Sequence, residues 1–357
     1  MTRWVYRQFG GPLQAQADTP RACQPGELRL RVLACGVCHT DVHTWEGRYD
    51  LGGGRTLELG GRVKLPRVLG HEIAGEVQAC GPGVDPSWLG RRAVVYPWIG
   101  CGRCPACLQD NDPFCPHPRY LGIDQDGGFA DEVTVPDARC LVPFESLSPQ
   151  QAAPLACSGL TSWSALDKAG ALRADEPLLL IGAGGVGLAA LGQALARSPA
   201  PICVVDRDAG RLQAAAALGA ANTVAAADAP ATLEALRRVQ PQGFAAAIDF
   251  VGTPDTFELA WSVLRKGGRM VVVGLFGGEA RFALPMLPAR ALSLLGSYVG
   301  TLAQLRALVA SAERGEFALP PAQLRPLAMA GQCLCDLRDG RGLGRFVLTP
   351  GHGDTGG

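Results

Sequence analysis

The chain has 357 residues, 47% of them apolar, with 33 basic residues against 33 acidic. That length exceeds what one hydrophobic core usually serves, so two domains are expected, and the charge balance gives no electrostatic case for nucleic acid or an anionic membrane. Thirteen cysteines in a chain long enough to fold without disulfides read as metal ligands or catalysts in a reducing, hence cytoplasmic, compartment.

In chain order, the opening "MTRWVYRQFGG" lacks the apolar core and cleavage site of a signal peptide. Residues 1 to about 150 are rich in Gly and Pro, with short β-prone runs such as "LRLRVLAC" and "RRAVVYPW". They predict a compact, loop-rich, mostly β domain. Within it, "CGVCHTDVH", 35 to 43, holds two cysteines and two of the five histidines. A Gly-rich insert follows, "GRYDLGGGRTLELGGRVKLP" at 47 to 66. It reads equally as a shaper of the site and as a plain surface loop. "LGHEIAGE" then supplies His71 and Glu72. "CGRCPACLQDNDPFC" supplies Cys101, Cys104, Cys107 and Cys115. Four thiolates close a tetrahedral zinc shell with no open position, so this site reads as structural, with an iron–sulfur cluster as the rival.

"APLACSGLTSW" adds Cys157. Cys38, His71 and Cys157 together form the two-thiolate, one-imidazole set that leaves a fourth zinc position open, the catalytic pattern. Spacing alone does not join them. Taken singly, His71 also reads as a satisfied histidine and Cys157 as a small buried thiol. Cys80, Cys140, Cys203, Cys333 and Cys335 read as buried small apolar residues, and Cys23 and Cys35 carry no ligand role.

From about residue 177 the rhythm changes to apolar strand, turn, Ala-rich helix. The strands are "PLLLIG", "PICVVD", "ANTVAA", "AAAIDF" and "RMVVVG". Between them lie "AGRLQAAAALGA", "PATLEALRRVQ" and "PDTFELAWSVLRKGG", read as helical. This alternation predicts a doubly wound parallel sheet, so the fold class is α/β. The uncharged run 178 to 196 mimics a membrane span, but its central glycines favour strand, turn and helix.

Those glycines, Gly182, Gly184 and Gly187, follow a G-x-G-x-x-G pattern between strand and helix. The pattern suits a dinucleotide pyrophosphate at the helix N-terminus. Asp206 ends the next strand, where an acid hydrogen-bonds the adenosine ribose and repels a 2′-phosphate. NAD is therefore favoured over NADP, although Arg207 keeps NADP open. The tail "TPGHGDTGG" reads as disordered.

"GVCHTDVH", "LGHEIAGEV", the four-cysteine lobe, "APLACSGLTSWSAL", "GAGGVG" and "VVVGLFGG" occur in this order. Together they resemble the zinc-dependent medium-chain alcohol dehydrogenases, most nearly their NAD-dependent bacterial and archaeal tetrameric branch. The resemblance implies a GroES-like β-rich catalytic domain from 1–153 and 295–357 around a Rossmann domain at 154–294. It implies two zinc ions per chain: one on Cys38, His71 and Cys157, the other on the four-cysteine lobe. It implies a proton relay through Thr40 and His43, and Glu72 as a neighbour able to coordinate transiently. NAD would lie along His39, the loop Gly182, Gly184, Gly185, Val186 and Gly187, then Asp206, Arg207, Arg211, and Val273, Gly274 and Leu275. Trp98, Tyr49 and Tyr120 would line the substrate pocket, and Tyr298 that of a neighbouring subunit. The implied activity is reversible hydride transfer between a primary or secondary alcohol and NAD, in a homotetramer or homodimer. A polyol dehydrogenase or glutathione-linked aldehyde oxidiser of the same superfamily, and a non-catalytic dinucleotide-binding protein, remain alternatives.

Overall fold

The structure, a computed structural model, describes residues 1–19 and 21–351. The expected disorder of the tail falls, from residue 352 on, outside the described residues.

The strand Leu28–Gly36 organises the first half of the chain. Leu28, Leu30, Val32 and Ala34 are buried and alternate with partly exposed neighbours, as a strand with one face on a core requires. It pairs antiparallel with Glu72–Cys80, Glu132–Val135 and Arg345–Thr349. The last of these brings the C-terminal strand beside the opening strands, with Val347 opposite Gly36. The resulting seven-stranded sheet continues through Arg92–Val95 and Leu141–Pro143 on one side and Ala322–Pro326 on the other.

The second sheet has six parallel strands. Their spatial order is Asn222–Ala225, Ile202–Asp206, Leu178–Ile181, Phe244–Asp249, Leu264–Val272, Ser293–Gly296. Numbered along the chain, this is the 3-2-1-4-5-6 order of a dinucleotide-binding sheet. Each strand near the centre is an unbroken apolar run because both faces are covered. Leu178 and Leu180 pack with Leu188 and Leu191 on one face, while Leu179 and Ile181 join a core with Leu236 and Trp261 on the other. The run 178 to 196 resolves into the strand Leu178–Ile181 and the helix Gly185–Arg197. Among the described residues no helix is long and apolar enough to cross a membrane.

One helix is shorter than its pattern. "PDTFELAWSVLRKGG" is helical over Pro254–Val263, and Leu264 already starts the next strand. Gly267 takes a left-handed φ of 76°, which a helix cannot hold, and Leu264 is drawn into the core opposite Phe244. Two cysteines also depart from expectation. Cys80 and Cys335 are only partly buried, packed at the margin of the core, one at the end of a strand and the other within the helix Ala330–Arg338.

Candidate active site

Cys38 precedes the helix His39–Glu46 in an extended conformation. Thr40 and His43 lie three apart, and His39 and His43 four apart, so the three share one helix face. Asp41, on the buried face, ties the region together. One of its oxygens accepts the Cys38 N–H at 2.9 Å; the other accepts the Gly70 N–H at 3.0 Å and meets His71 Nδ1 at 3.0 Å. Asp41 thus both holds the loop and orients the His71 ring.

That orientation matters for the opposite nitrogen. His71 Nε2 is buried without a partner, an arrangement costly in a dry site. Its donor lies within 4.8 Å of the sulfurs of Cys38 and Cys157. The two sulfurs are 3.9 Å apart. Two thiolates on one tetrahedral zinc, each at about 2.3 Å, would stand about 3.8 Å apart. The donor set therefore fits zinc. Cys38 is pushed well below the ordinary thiol range by the contact with Cys157, and Cys157 well above it for the reciprocal reason. A shared proton is one answer to that proximity; a divalent cation is the other.

Glu72 follows His71 but is engaged elsewhere. Its carboxylate accepts Arg345 Nε at 2.8 Å and the Ser158 N–H at 2.9 Å, and a second guanidinium nitrogen of Arg345 completes a fork. Both side chains are buried. Gly36 stands opposite Glu72 in the sheet, and a Cβ there would be 1.9 Å from its carboxylate. Arg345, in the last strand, escaped the sequence reading. Its one signal was a lone arginine heading the apolar run "RFVLT".

Trp98 is 1% exposed, and its Nε1 donates to the Ala156 carbonyl at 3.1 Å. Its ring lies 5.3 Å from His71, 5.3 Å edge-on from Tyr120 and 6.0 Å from Tyr298. Tyr298 thus packs on Trp98 of its own chain and stays 40% exposed. Tyr49 packs on His43 at 4.6 Å, and Phe276, a residue the sequence reading passed over, packs on His39 at 4.7 Å. Nε2 of His39 and of His43 are both buried without partners. Burial lowers the pKa of each, to about 4 for His39. Thr40 is half-buried beside them.

The glycine loop leaves the strand Leu178–Ile181 as drawn from the sequence. Gly182 has a φ of 93°, and a Cβ on Gly187 would strike the Gly182 carbonyl at 1.8 Å. By contrast, a Cβ on Gly184 would meet nothing within 4 Å. That open ledge at the N-terminus of Gly185–Arg197, continued by half-buried Gly185 and Val186, fits a pyrophosphate. Asp206 ends its strand at 7% exposure and accepts the Ala183 N–H at 2.7 Å. Val273 and Gly274 follow the strand Leu264–Val272 and both donate to the Asp249 carbonyl, at 2.9 and 3.0 Å, and Leu275 beyond them is exposed. All these segments lie at carboxyl ends of parallel strands, where doubly wound sheets hold ligands. Arg207 is exposed nearby, and the Arg211 guanidinium donates to the carbonyls of Gly340 at 2.7 Å and Gly342 at 3.3 Å.

In the four-cysteine lobe all four donor sulfurs lie within 4.8 Å of one another. The Cys115 sulfur accepts backbone N–H groups of Cys101 at 3.2 Å and His117 at 3.3 Å. The Arg103 backbone N–H pulls Cys101 down to about 6, while burial pushes Cys107 up to about 12. Asp112 anchors the lobe, accepting the Gly100 N–H at 3.0 Å and Arg139 Nη2 at 2.9 Å. The set fits a second, closed zinc shell.

Two family models match the chain, the alcohol dehydrogenase GroES-like domain over residues 24–146 and the zinc-binding dehydrogenase over 185–314. The NAD-dependent alcohol dehydrogenase of Sulfurisphaera tokodaii is 36% identical over 345 residues, covering 96% of this chain and 98% of that protein. The chain belongs to the zinc-binding alcohol dehydrogenase family. Among solved structures, the alcohol dehydrogenase of Aeropyrum pernix superposes with a TM-score of 0.87 at 28% identity, over 98% of this chain and 100% of that one. The cobalt- and zinc-bound alcohol dehydrogenase of Pyrobaculum aerophilum gives 0.83 at 26% identity, over 98% and 99%. Membership in the alcohol dehydrogenase family agrees with both sheets and with the order of the motifs along the chain.

Proposed function

We propose that the protein is an NAD-dependent alcohol dehydrogenase with a catalytic zinc on Cys38, His71 and Cys157 and a structural zinc on Cys101, Cys104, Cys107 and Cys115. The observation that carries this reading is the orphaned His71 Nε2 converging with two thiols 3.9 Å apart. When bound there, zinc would supply a Lewis acid for the substrate oxygen and NAD the hydride acceptor.

The chain's own residues do the rest. Thr40 accepts the alcohol proton and hands it on. His43 receives it as a neutral imidazole, because burial lowers its pKa, and releases it outward. Arg345 keeps Glu72 engaged, so that Glu72 can serve only as a transient ligand. Asp41 fixes the His71 tautomer, with Nδ1–H donating to its carboxylate and Nε2 left as the ligand. Gly184 to Gly187 cradle the pyrophosphate, and Asp206 takes the ribose, which favours NAD over NADP.

The catalytic unit comprises residues 1–153 and 295–357 and the cofactor unit 154–294, with the strand Ser293–Gly296 lying across their junction. That strand is a largely exposed edge of the parallel sheet, and Leu284, Met286 and Leu294 near it are exposed. An uncovered apolar edge supports a homodimer or homotetramer. None of the thirteen cysteines is paired in a disulfide, which is consistent with the reducing compartment their number suggests.

The test is NADH formation, followed by absorbance, with the zinc-replete protein, NAD and a panel of primary and secondary alcohols. No turnover with any of them would sink the reading.

A further inference from the structure

The insert at 47–66, undecided from sequence, touches both sides of the cleft. On one side its hairpin, Arg48–Gly52 with Arg55–Glu58, packs against the loop beyond Leu275. A Cβ on Gly52 would be 2.5 Å from the Glu279 backbone nitrogen, and Arg55 pairs with Glu279 at 3.1 Å. At its start the hairpin sets Tyr49 on His43.

On the other side stands Arg62. Its Nε donates to Asp124 Oδ1 at 2.7 Å and its Nη2 to Oδ2 at 2.9 Å. The guanidinium centre lies 5.2 Å from the Tyr120 ring centroid. Asp124 is itself locked to Tyr120: the Tyr120 N–H donates to Asp124 Oδ2 at 2.9 Å, and the Asp124 N–H to the Tyr120 carbonyl at 2.8 Å. Tyr120 stands edge-on to Trp98, and Trp98 packs on His71. A continuous set of contacts therefore runs from the insert to the candidate metal ligand.

An exposed ion pair alone is worth little, and Arg62 is 41% exposed. Three features raise this one above that level. Asp124 is 15% exposed, the contact is a bidentate fork, and the guanidinium also covers an aromatic face. What the fork holds is the position of a ring. Trp98, Tyr120 and Tyr298 lie within 5.3 to 6.5 Å of one another, in direct ring-to-ring contact that leaves no room for another ring between them. A bulky group beside them would need Tyr120 to shift, and Tyr120 is held by its turn, by its hydroxyl, which donates to the Pro113 carbonyl at 3.1 Å, and by the Arg62–Asp124 contact over its ring.

We propose that Arg62 is a specificity-determining positioning residue: forked onto Asp124, it pins Tyr120 against Trp98 and restricts the cleft to compact alcohols. This rests on the reading of Cys38, His71 and Cys157 as the reaction centre.

The test compares the zinc-replete enzyme with Arg62→Met and Asp124→Asn, using benzyl alcohol and 2-naphthylmethanol with saturating NAD. The ratio of kcat/KM, naphthyl over benzyl, should rise about ten-fold in either variant, carried mainly by KM, the scale on which a pocket discriminates small differences in size. The double variant should match the singles, because both remove one contact. Arg62→Lys, which keeps the charge but lacks the fork, should behave like Arg62→Met. An equal fall in kcat/KM for both alcohols, with an unmoved ratio, would overturn the proposal. Near-UV circular dichroism reads the Trp98–Tyr120 pair without turnover. Arg62→Met and Asp124→Asn should change the spectrum alike, and the change should vanish in a Trp98→Phe background. Spectra superimposable on wild type would overturn the proposal. An enzyme inactive on both alcohols whose spectra shift as described would instead fault the assigned activity.

Discussion

Arg345 Nε donates to Glu72 Oε2 at 2.8 Å across 273 residues of sequence, joining the last strand of the chain to the residue after His71. Both partners are buried, with side-chain exposures of 4% and 0%. Breaking such a pair leaves one charge stranded, at a cost of about 3–5 kcal/mol. Arg345→Met should therefore lower unfolding stability by that order in a denaturant titration. Glu72→Gln combined with Arg345→Met should recover a large part of it, since no bare charge remains. A double variant as unstable as the single one would show that Arg345 matters for packing rather than for charge.

Metal content is the next expectation. Protein purified without chelator should carry two zinc ions per chain by elemental analysis. Cys157→Ser should lose one of them along with turnover. Cys107→Ala should lose the other and lower the thermal midpoint, because a closed shell contributes folding energy. Asp41→Asn should weaken the catalytic site about 10–100-fold in zinc affinity, since the residue behind a ligating imidazole sets its tautomer and direction. An Asp41→Asn protein with wild-type affinity would mean that the 3.0 Å contact to Nδ1 is dispensable.

These two predictions mark where sequence legibility stopped. The glycine loop, the strands around it and the two cysteine groups were legible because their chemistry is local: a turn, a periodicity, a spacing. The union of Cys38, His71 and Cys157 was not local, and came from resemblance to a family rather than from spacing. Arg345 and Asp41 were harder still. Each acts through a partner brought near by the sheet pairings of Leu28–Gly36 with Glu72–Cys80 and Arg345–Thr349. Register is invisible until the strands are paired. Arg62 was hidden for the same reason, because Asp124 lies 62 residues away.

Cofactor choice turns on Asp206. The wild-type enzyme should show a far higher kcat/KM with NAD than with NADP. Asp206→Gly should narrow that gap, with Arg207 left exposed to meet a 2′-phosphate. It should also weaken NAD binding, because Asp206 holds the Ala183 N–H at 2.7 Å inside the glycine loop. Kinetics with both cofactors on the two proteins checks this, and a wild-type preference for NADP would mean that Asp206 serves the loop alone.

The proton path gives the last prediction. Thr40 and His43 share a helix face, and His43 Nε2 is buried without a protein partner, as a waiting acceptor would be. Thr40→Ala should slow alcohol oxidation about 10²-fold or more, and Thr40→Ser should keep most of the rate. His43→Gln should cost about ten-fold, or about 1.4 kcal/mol of barrier, because water can stand in at the outer link. The sign of the pH effect follows from burial. It lowers the His43 pKa, so the imidazole is neutral and able to accept at neutral pH, and it loses that ability only on the acid side of the ordinary value of about 6.5. The wild-type rate should therefore fall with acid below that value, and the fall should be shallower in His43→Gln. In alkali the two profiles should converge, because hydroxide can take the proton directly. Oxidation rates measured across the pH range for both proteins decide it. Profiles that stay parallel throughout would leave His43 as a packing partner for Tyr49, 4.6 Å away, with no part in moving the proton.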